Sequence, residues 1–312
     1  MIAKLKDPSI WGRHLAVAAA YAACYEVVRY FSFPHWMVTA GLRLGCLLLV
    51  PRRFWAALVV GEALPIAEKV FLGSPPFGAA WAMIAAIPPM LLCVPGMTLL
   101  HRIRPVFNED GQVNLAMILA AALFCASVTT GLNSAALSVV VMPDGSAPPG
   151  VTVPIVLAWI LGNYLGALTI APTVLALYER VTRIRGPLTW SHVLNSPLLR
   201  EMLCVEGPVL LALLAGVHVI GGDLTAYLRF AMVIPVVALA WRHGWHGAAT
   251  GGMLASIALA KTAIADRDPS MIPAQVVLAL AISTSLLVAA SIAAHRTHSA
   301  ESRDPRINAM SR

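Results

Sequence analysis

Residues 39–62 read TAGLRLGCLLLVPRRFWAALVVGE. Two apolar runs are separated only by Pro51-Arg52-Arg53, so they form a tight hairpin. Each run carries one charge within it: Arg43 between Leu42 and Leu44, and Glu62 after Val59-Val60-Gly61. At 1.5 Å per residue, both charges lie roughly 13 Å from the turn, at similar depth on adjacent antiparallel helices. A charge near the bilayer centre costs at least ~2.5–3.5 kcal/mol on insertion scales, so it needs a partner, a water-filled cavity or a short reach to the interface. Arg43 and Glu62 can meet that need as an ion pair. Three roles are open to them: pinning the hairpin register, serving a ligand or a proton, or snorkelling separately.

The whole chain extends this pattern. Its 312 residues are 59% hydrophobic and 12% charged, with a mean hydropathy of +0.77, whereas about a quarter of a soluble domain is charged. A soluble domain and a disordered chain are both excluded. Apolar spans fall near 14–31, 35–51, 54–73, 77–100, 113–142, 151–178, 201–221, 224–241, 245–265 and 272–294. At about 20 residues per crossing, the length is used up by such helices. The expected fold is an all-α integral membrane protein, a polytopic bundle of about ten transmembrane helices (8–10) with both termini cytoplasmic. Residues 1–13 form a short cytoplasmic N-terminus, 14–294 the transmembrane domain, and 295–312 a polar, disordered cytoplasmic tail. No cleavable signal peptide is evident.

Basic residues support this topology, because Lys and Arg in short loops concentrate on the cytoplasmic side. With the N-terminus inside, 16 of the 22 Lys and Arg residues fall in inner segments, including Arg52, Arg53, Arg102, Arg104, Arg180, Arg183 and Arg242. Arg29, Lys69, Lys261 and Arg267 fall outside. The net charge of +7 is therefore read as a topology signal, not as an affinity for nucleic acid. The longest inner segment, Glu179 to Arg200, suits a stretch lying along the membrane face. A faint parallel echo relates Arg52, Trp55 and Gly61 to Arg242, Trp245 and Gly251.

No catalytic constellation is present: there is no H-E-x-x-H, P-loop or G-x-S-x-G. Cys24, Cys46, Cys93, Cys125 and Cys204 form no C-x-x-C pair and read as small buried hydrophobes. No metal or cofactor is expected. Polar residues in apolar surroundings stand out instead: Glu26, Arg43, Glu62, Glu68, Asn133, Asn163, Glu206, His218, Arg229 and Lys261. Glu206 precedes Gly207-Pro208, where a helix can lose a backbone hydrogen bond and open a polar pocket. Arg229 and Asp223 read as interfacial, Lys261 as snorkelling outward, and His218 as a satisfied interior histidine. His243 and His246, beside Trp241 and Trp245, read as an interfacial belt. Gly41–Gly45, Gly162–Gly166 and Gly247–Gly251 are spacings that let helices pack closely within the chain.

The hairpin quoted above, and the stretch Trp159-Ile160-Leu161-Gly162-Asn163-Tyr164-Leu165-Gly166 leading to Ala171-Pro172, resemble the MASE1 family of bacterial membrane-associated sensor domains. The resemblance covers nearly the whole chain. Asn163 stands where the family's motif W-x-x-G-D-x-L-G has Asp, which keeps hydrogen bonding but removes a charge. The resemblance implies a non-enzymatic sensory input module in the inner membrane, with its C-terminus placed inside for coupling. Family members usually continue into a cyclase, phosphodiesterase or histidine kinase. This sequence stops about 18 residues after its last span, so a separate histidine kinase or cyclic-di-GMP enzyme is the expected partner, besides the lipid bilayer. Arg43, Glu62, Asn163 and Glu206 are the candidate intramembrane ligand or coupling residues. Ten spans with broken helices and intramembrane charge also suit a small-solute transporter, and a scaffolding role is a third possibility.

Overall fold

The computed structural model describes residues 8–33, 35–72, 77–108, 112–183, 196–220, 222, 224–263 and 269–301. Each of the ten apolar spans folds as helix, because a backbone in lipid must satisfy its own hydrogen bonds. The helices are α1 (Pro8–Tyr30), α2 (Val38–Leu49), α3 (Trp55–Phe71), α4 (Ala79–Ala85), α5 (Pro89–Ile103), α6 (Leu115–Ser138) and α7 (Val153–Arg183). They continue with α8 (Pro197–Glu201), α9 (Gly207–Ile220), α10 (Leu224–Ala231), α11 (Val233–His243), α12 (Trp245–Lys261) and α13 (Ile272–Glu301). Among the described residues there is no strand beyond two isolated bridges.

Prolines decide where the spans break. The fourth span divides into α4 and α5 at Ala86–Pro88, since the ring of Pro89 pushes Pro88 into an extended conformation at φ −69°, ψ 125°. The eighth divides at Met232, three residues before Pro235, which cannot donate to the carbonyl of Ala231. In the seventh, Pro208 cannot donate to Cys204. A π turn over Met202–Glu206 follows, in which the Gly207 N–H reaches back to the Met202 carbonyl.

Among the described residues, six segments are long and apolar enough to cross a membrane: Ala79–Ile103, Leu115–Ser138, Val153–Thr182, Pro197–Ile220, Leu224–His243 and Ile272–Ala289. α3 and α12 have 17 residues each. At 12 residues, α2 is only about 18 Å long. It starts at Val38 because Phe33 and Trp36 bond each other's backbones at 3.0 and 2.9 Å in the preceding turn. Helix α13 runs through Glu301, past the expected end at residue 294. No proline or glycine interrupts it before Pro305, so the expected tail begins helical; residues 302–312 lie outside those described. The segment expected along the membrane face falls largely on residues 184–195, also outside them.

The arginine-rich turns gather at one end of the bundle. His14 Nε2 lies 3.0 Å from the Arg53 carbonyl, and the rings of Trp55 and His101 are 5.6 Å apart. In the second half, Glu201 pairs with Arg242 at 3.2 Å and Glu179 with His246 at 3.3 Å. Helices α2 and α7 run parallel and join the two groups: the Met37 N–H donates to the Gly162 carbonyl at 3.0 Å, and Gly41 packs on Gly166 and Ile170. At the opposite end Lys261 lies over Phe33 and Gln275 donates to the His35 carbonyl.

Small residues make these close crossings possible. A Cβ on Gly166 would run into the Met37 backbone, and one on Gly247 into the Leu239 carbonyl, whereas Gly45 faces open space. Gly41, Gly166, Gly247 and Gly251 thus serve contacts within the chain, and Gly45 does not. The outer surface is apolar, with Leu72, Val219 and Trp241 more than four-fifths exposed, as suits lipid contact. Cys24 and Cys204 lie on this exposed surface and are not buried as expected; a small apolar side chain suits lipid as well as a core.

Replacing Gly166 by Ala forces backbone apart, and overpacking of this kind costs about 1–3 kcal/mol. Gly166→Ala is expected to lower the melting temperature in detergent, and Gly45→Ala to leave it unchanged. Equal behaviour of the two variants would refute this packing.

Candidate functional site

Pro88-Pro89 leaves a helix N-terminus, that of α5, within the membrane-spanning region. Its free N–H groups and positive dipole end call for an acceptor. Glu62, on α3, supplies it: Oε2 accepts from the Met90 N–H at 2.6 Å. The other oxygen, Oε1, accepts from Arg43 Nε at 2.9 Å and from the Tyr21 hydroxyl at 3.3 Å. Arg43 Nη1 donates to Thr129 Oγ1 at 2.9 Å, and that hydroxyl donates onward to the Cys125 carbonyl. Arg43 and Glu62 are 2% and 0% exposed. One ion pair thus ties α1, α2, α3, α5 and α6 together. Arg43 and Glu62 stand out in the sequence, but Tyr21, Thr129 and the Met90 N–H do not. The Pro88-Pro89 dipeptide is the signal that could have revealed the last of these.

Above the pair lies a cavity of about 530 Å³ that extends towards the end opposite the arginine-rich turns. Arg43 is at its inner limit, while Arg29, Lys69 and Phe33 line it at the helix ends. Tyr25, Trp81 and Trp159 add aromatic wall. Asn133 and Asn163 contribute amides from α6 and α7. The Asn163 amide donates to the Trp159 carbonyl at 2.9 Å, a bond between residues one helical turn apart. Of the four candidate residues, Arg43 and Asn163 line the cavity and Glu62 lies directly behind Arg43.

Glu206 stands elsewhere. It closes the π turn, is 1% exposed, and neither carboxyl oxygen finds a hydrogen-bond partner among the described residues. Its Oε1 packs against the bare backbone of Gly251, with Leu239 and Val236 of α11 beside it.

Two expectations are corrected. Arg229 is buried and not exposed at the helix ends: it is 3% exposed and donates to Thr262 Oγ1, the Thr262 carbonyl and Ser270 Oγ at 3.0, 2.7 and 2.8 Å. The C-terminus of α12 offers carbonyls to a cation, and Arg229 takes one of them, that of Thr262. His218 is exposed and not interior, its ring 2.9 Å from the Leu214 carbonyl one turn back. Asp223 lies outside the described residues. His243, 3.0 Å from Glu201, and His246 join ion-pair contacts at the arginine-rich end. Among the described residues no group of His, Cys, Asp and Glu side chains has the geometry to hold a metal ion.

Compared with known proteins, residues 15–296 match the family model MASE1. No curated protein and no solved structure matches the chain significantly.

Breaking a buried ion pair from one side costs about 3–5 kcal/mol. Arg43→Ala and Glu62→Ala are each expected to reduce the yield of monodisperse protein sharply, and the double variant is expected to be no worse than either. Losses that simply add would show that the two residues act independently. Glu206→Met removes an unsatisfied carboxyl from an apolar setting and is expected to match or exceed the wild-type melting temperature; a marked fall would reveal a partner for Glu206.

Proposed function

The chain belongs to the MASE1 family of membrane-associated sensor domains, and from that premise we propose that it is a non-catalytic input module coupled to an output enzyme on a partner chain. It is a multi-pass inner-membrane protein. The output is a histidine kinase or a cyclic-di-GMP enzyme, the modules with which MASE1 domains are typically found. The observation that carries this reading is the family match over residues 15–296. The cavity above Arg43 gives the input a location.

In this reading the arginine-rich end faces the cytoplasm, and the cavity opens to the outer side. A ligand acts by binding one arrangement of the bundle better than another. Arg43 and Asn163 are the contact residues, and Glu62 holds Arg43 in place. Helix α7 is the natural carrier of the signal. It lines the cavity with Trp159 and Asn163, and 16 residues beyond Asn163 it reaches the arginine-rich end at Glu179. The Tyr164 hydroxyl lies 2.9 Å from Ser283 Oγ, which links α7 to α13, and α13 runs on to Glu301 beyond the last apolar span. A tilt of α7 would thus be felt both at the arginine-rich loops and along α13. Glu206, in its π turn, is a second position where a helix could change register.

The test is affinity purification of the tagged protein from its native host in mild detergent, with quantitative mass spectrometry. Stoichiometric recovery of a kinase, cyclase or phosphodiesterase is expected, and Tyr164→Phe combined with Ser283→Ala should blunt signalling without loss of that partner. Recovery of the chain alone, together with solute uptake in liposomes, would replace the sensor by a transporter.

A further inference from the structure

The cavity lining carries charge of one sign. Among the described residues, Arg29, Lys69 and Arg43 line it and no Asp or Glu does. Two of the three are already answered by carboxylates behind them: Arg29 by Glu26 at 2.7 Å and Arg43 by Glu62 at 2.9 Å. Lys69 makes no ion pair among the described residues. The site with its direct partners therefore keeps one positive charge.

A second observation lies at the inner limit. Arg43 is 2% exposed, and its Nε and Nη1 are engaged by Glu62 and Thr129, but Nη2 donates to nothing among the described residues. A guanidinium nitrogen without an acceptor in so apolar a setting is costly; this one is not among the fully buried unpartnered atoms and belongs to a residue that lines a cavity. Asn133 also makes no hydrogen bond among the described residues, and its amide lines the same space. About 530 Å³ falls within the range of small-molecule sites. The walls supplied by Tyr25, Phe33, Trp81 and Trp159 are apolar and flat-sided.

Resting on the reading that this cavity is the input site, we propose that it binds a small aromatic monocarboxylate, whose single negative charge is received by Arg43 Nη2 and the neighbouring amides. Its ring occupies the aromatic wall. Lys69 sits seven residues, about 10 Å, along α3 from Glu62, so it stands at the mouth and draws anions in without gripping them. A single negative charge on an apolar body is also what an anionic lipid presents, and the experiment separates the two sources.

The probes are benzoate, benzylamine and benzyl alcohol, alike in shape and different in charge. Each is titrated against the purified full chain in neutral detergent while the melting temperature is followed. Benzoate is expected to raise it and the other two are not. Lys69→Glu, on the exposed mouth, is expected to weaken the apparent benzoate affinity about tenfold. Ala136→Trp, which fills the cavity, is expected to abolish the shift; should that variant fold poorly, Lys69→Glu alone carries the test. An equal shift with benzylamine would overturn the charge assignment and leave the cavity as input site. A benzoate shift untouched by both variants would mean binding elsewhere and would remove the cavity from the sensor reading, while partner recovery still decides whether the chain is a sensor. Phosphatidylglycerol that blocks benzoate would assign the site to a lipid headgroup, and no shift with benzoate would overturn the proposal outright.

Discussion

The bond between Arg43 and Glu62 organises the first half of this bundle. Two charges that are each costly in a bilayer become tolerable because they pair with each other and with donors and acceptors from three further helices. The carboxylate receives a guanidinium, a phenol and a backbone N–H; the guanidinium reaches the carboxylate and a threonine hydroxyl. The helix break at Pro88-Pro89 is part of the arrangement, since without it no free N–H would face Glu62. The second half answers the same problem in reverse. Arg229 donates to a carbonyl at the end of α12 where Glu62 accepts from an amide at the start of α5, so a helix terminus contributes to holding an anion in one case and a cation in the other.

Much of the fold was legible because a bilayer imposes a simple rule on composition. Apolar runs marked where helices form, and Pro51-Arg52-Arg53 marked a tight turn between two of them. The interruptions within spans were harder to place. Pro65, Pro95 and Pro172 sit inside continuous helices, whereas Pro88-Pro89 and Pro235 lie at breaks. A lone proline removes one hydrogen bond, and whether the helix bends, bulges or stops depends on what neighbouring helices offer the freed carbonyl. That is tertiary information.

The candidate residues divide in the same way. Arg43 and Glu62 could be paired from depth alone, because a hairpin fixes their relation. Asn163 drew notice through its motif, but its place in a cavity with Asn133 and Tyr25 depends on α7 packing against α2 through Gly41 and Gly166. The burial of Arg229 was not legible, because hydropathy sees a charge near a span's edge and not the carbonyl and hydroxyls that fold over it. Glu206 lies apart from the cavity because its helix packs against α12.

The shortness of α2 bears on how the chain enters the membrane. Twelve residues with an arginine in the middle make a poor insertion signal, since a central Arg costs about 2.5–3.5 kcal/mol on biological insertion scales. α2 therefore cannot be handed to the lipid as an independent crossing. It has to leave the insertion machinery together with α3, as a preformed hairpin in which the opposite charges already neutralise each other. Even then Met90 and Thr129 arrive only 28 and 67 residues after Glu62, so the pair waits, half-solvated, until α5 and α6 have been synthesised. The order of biogenesis is thus written into the same contacts that hold the finished bundle.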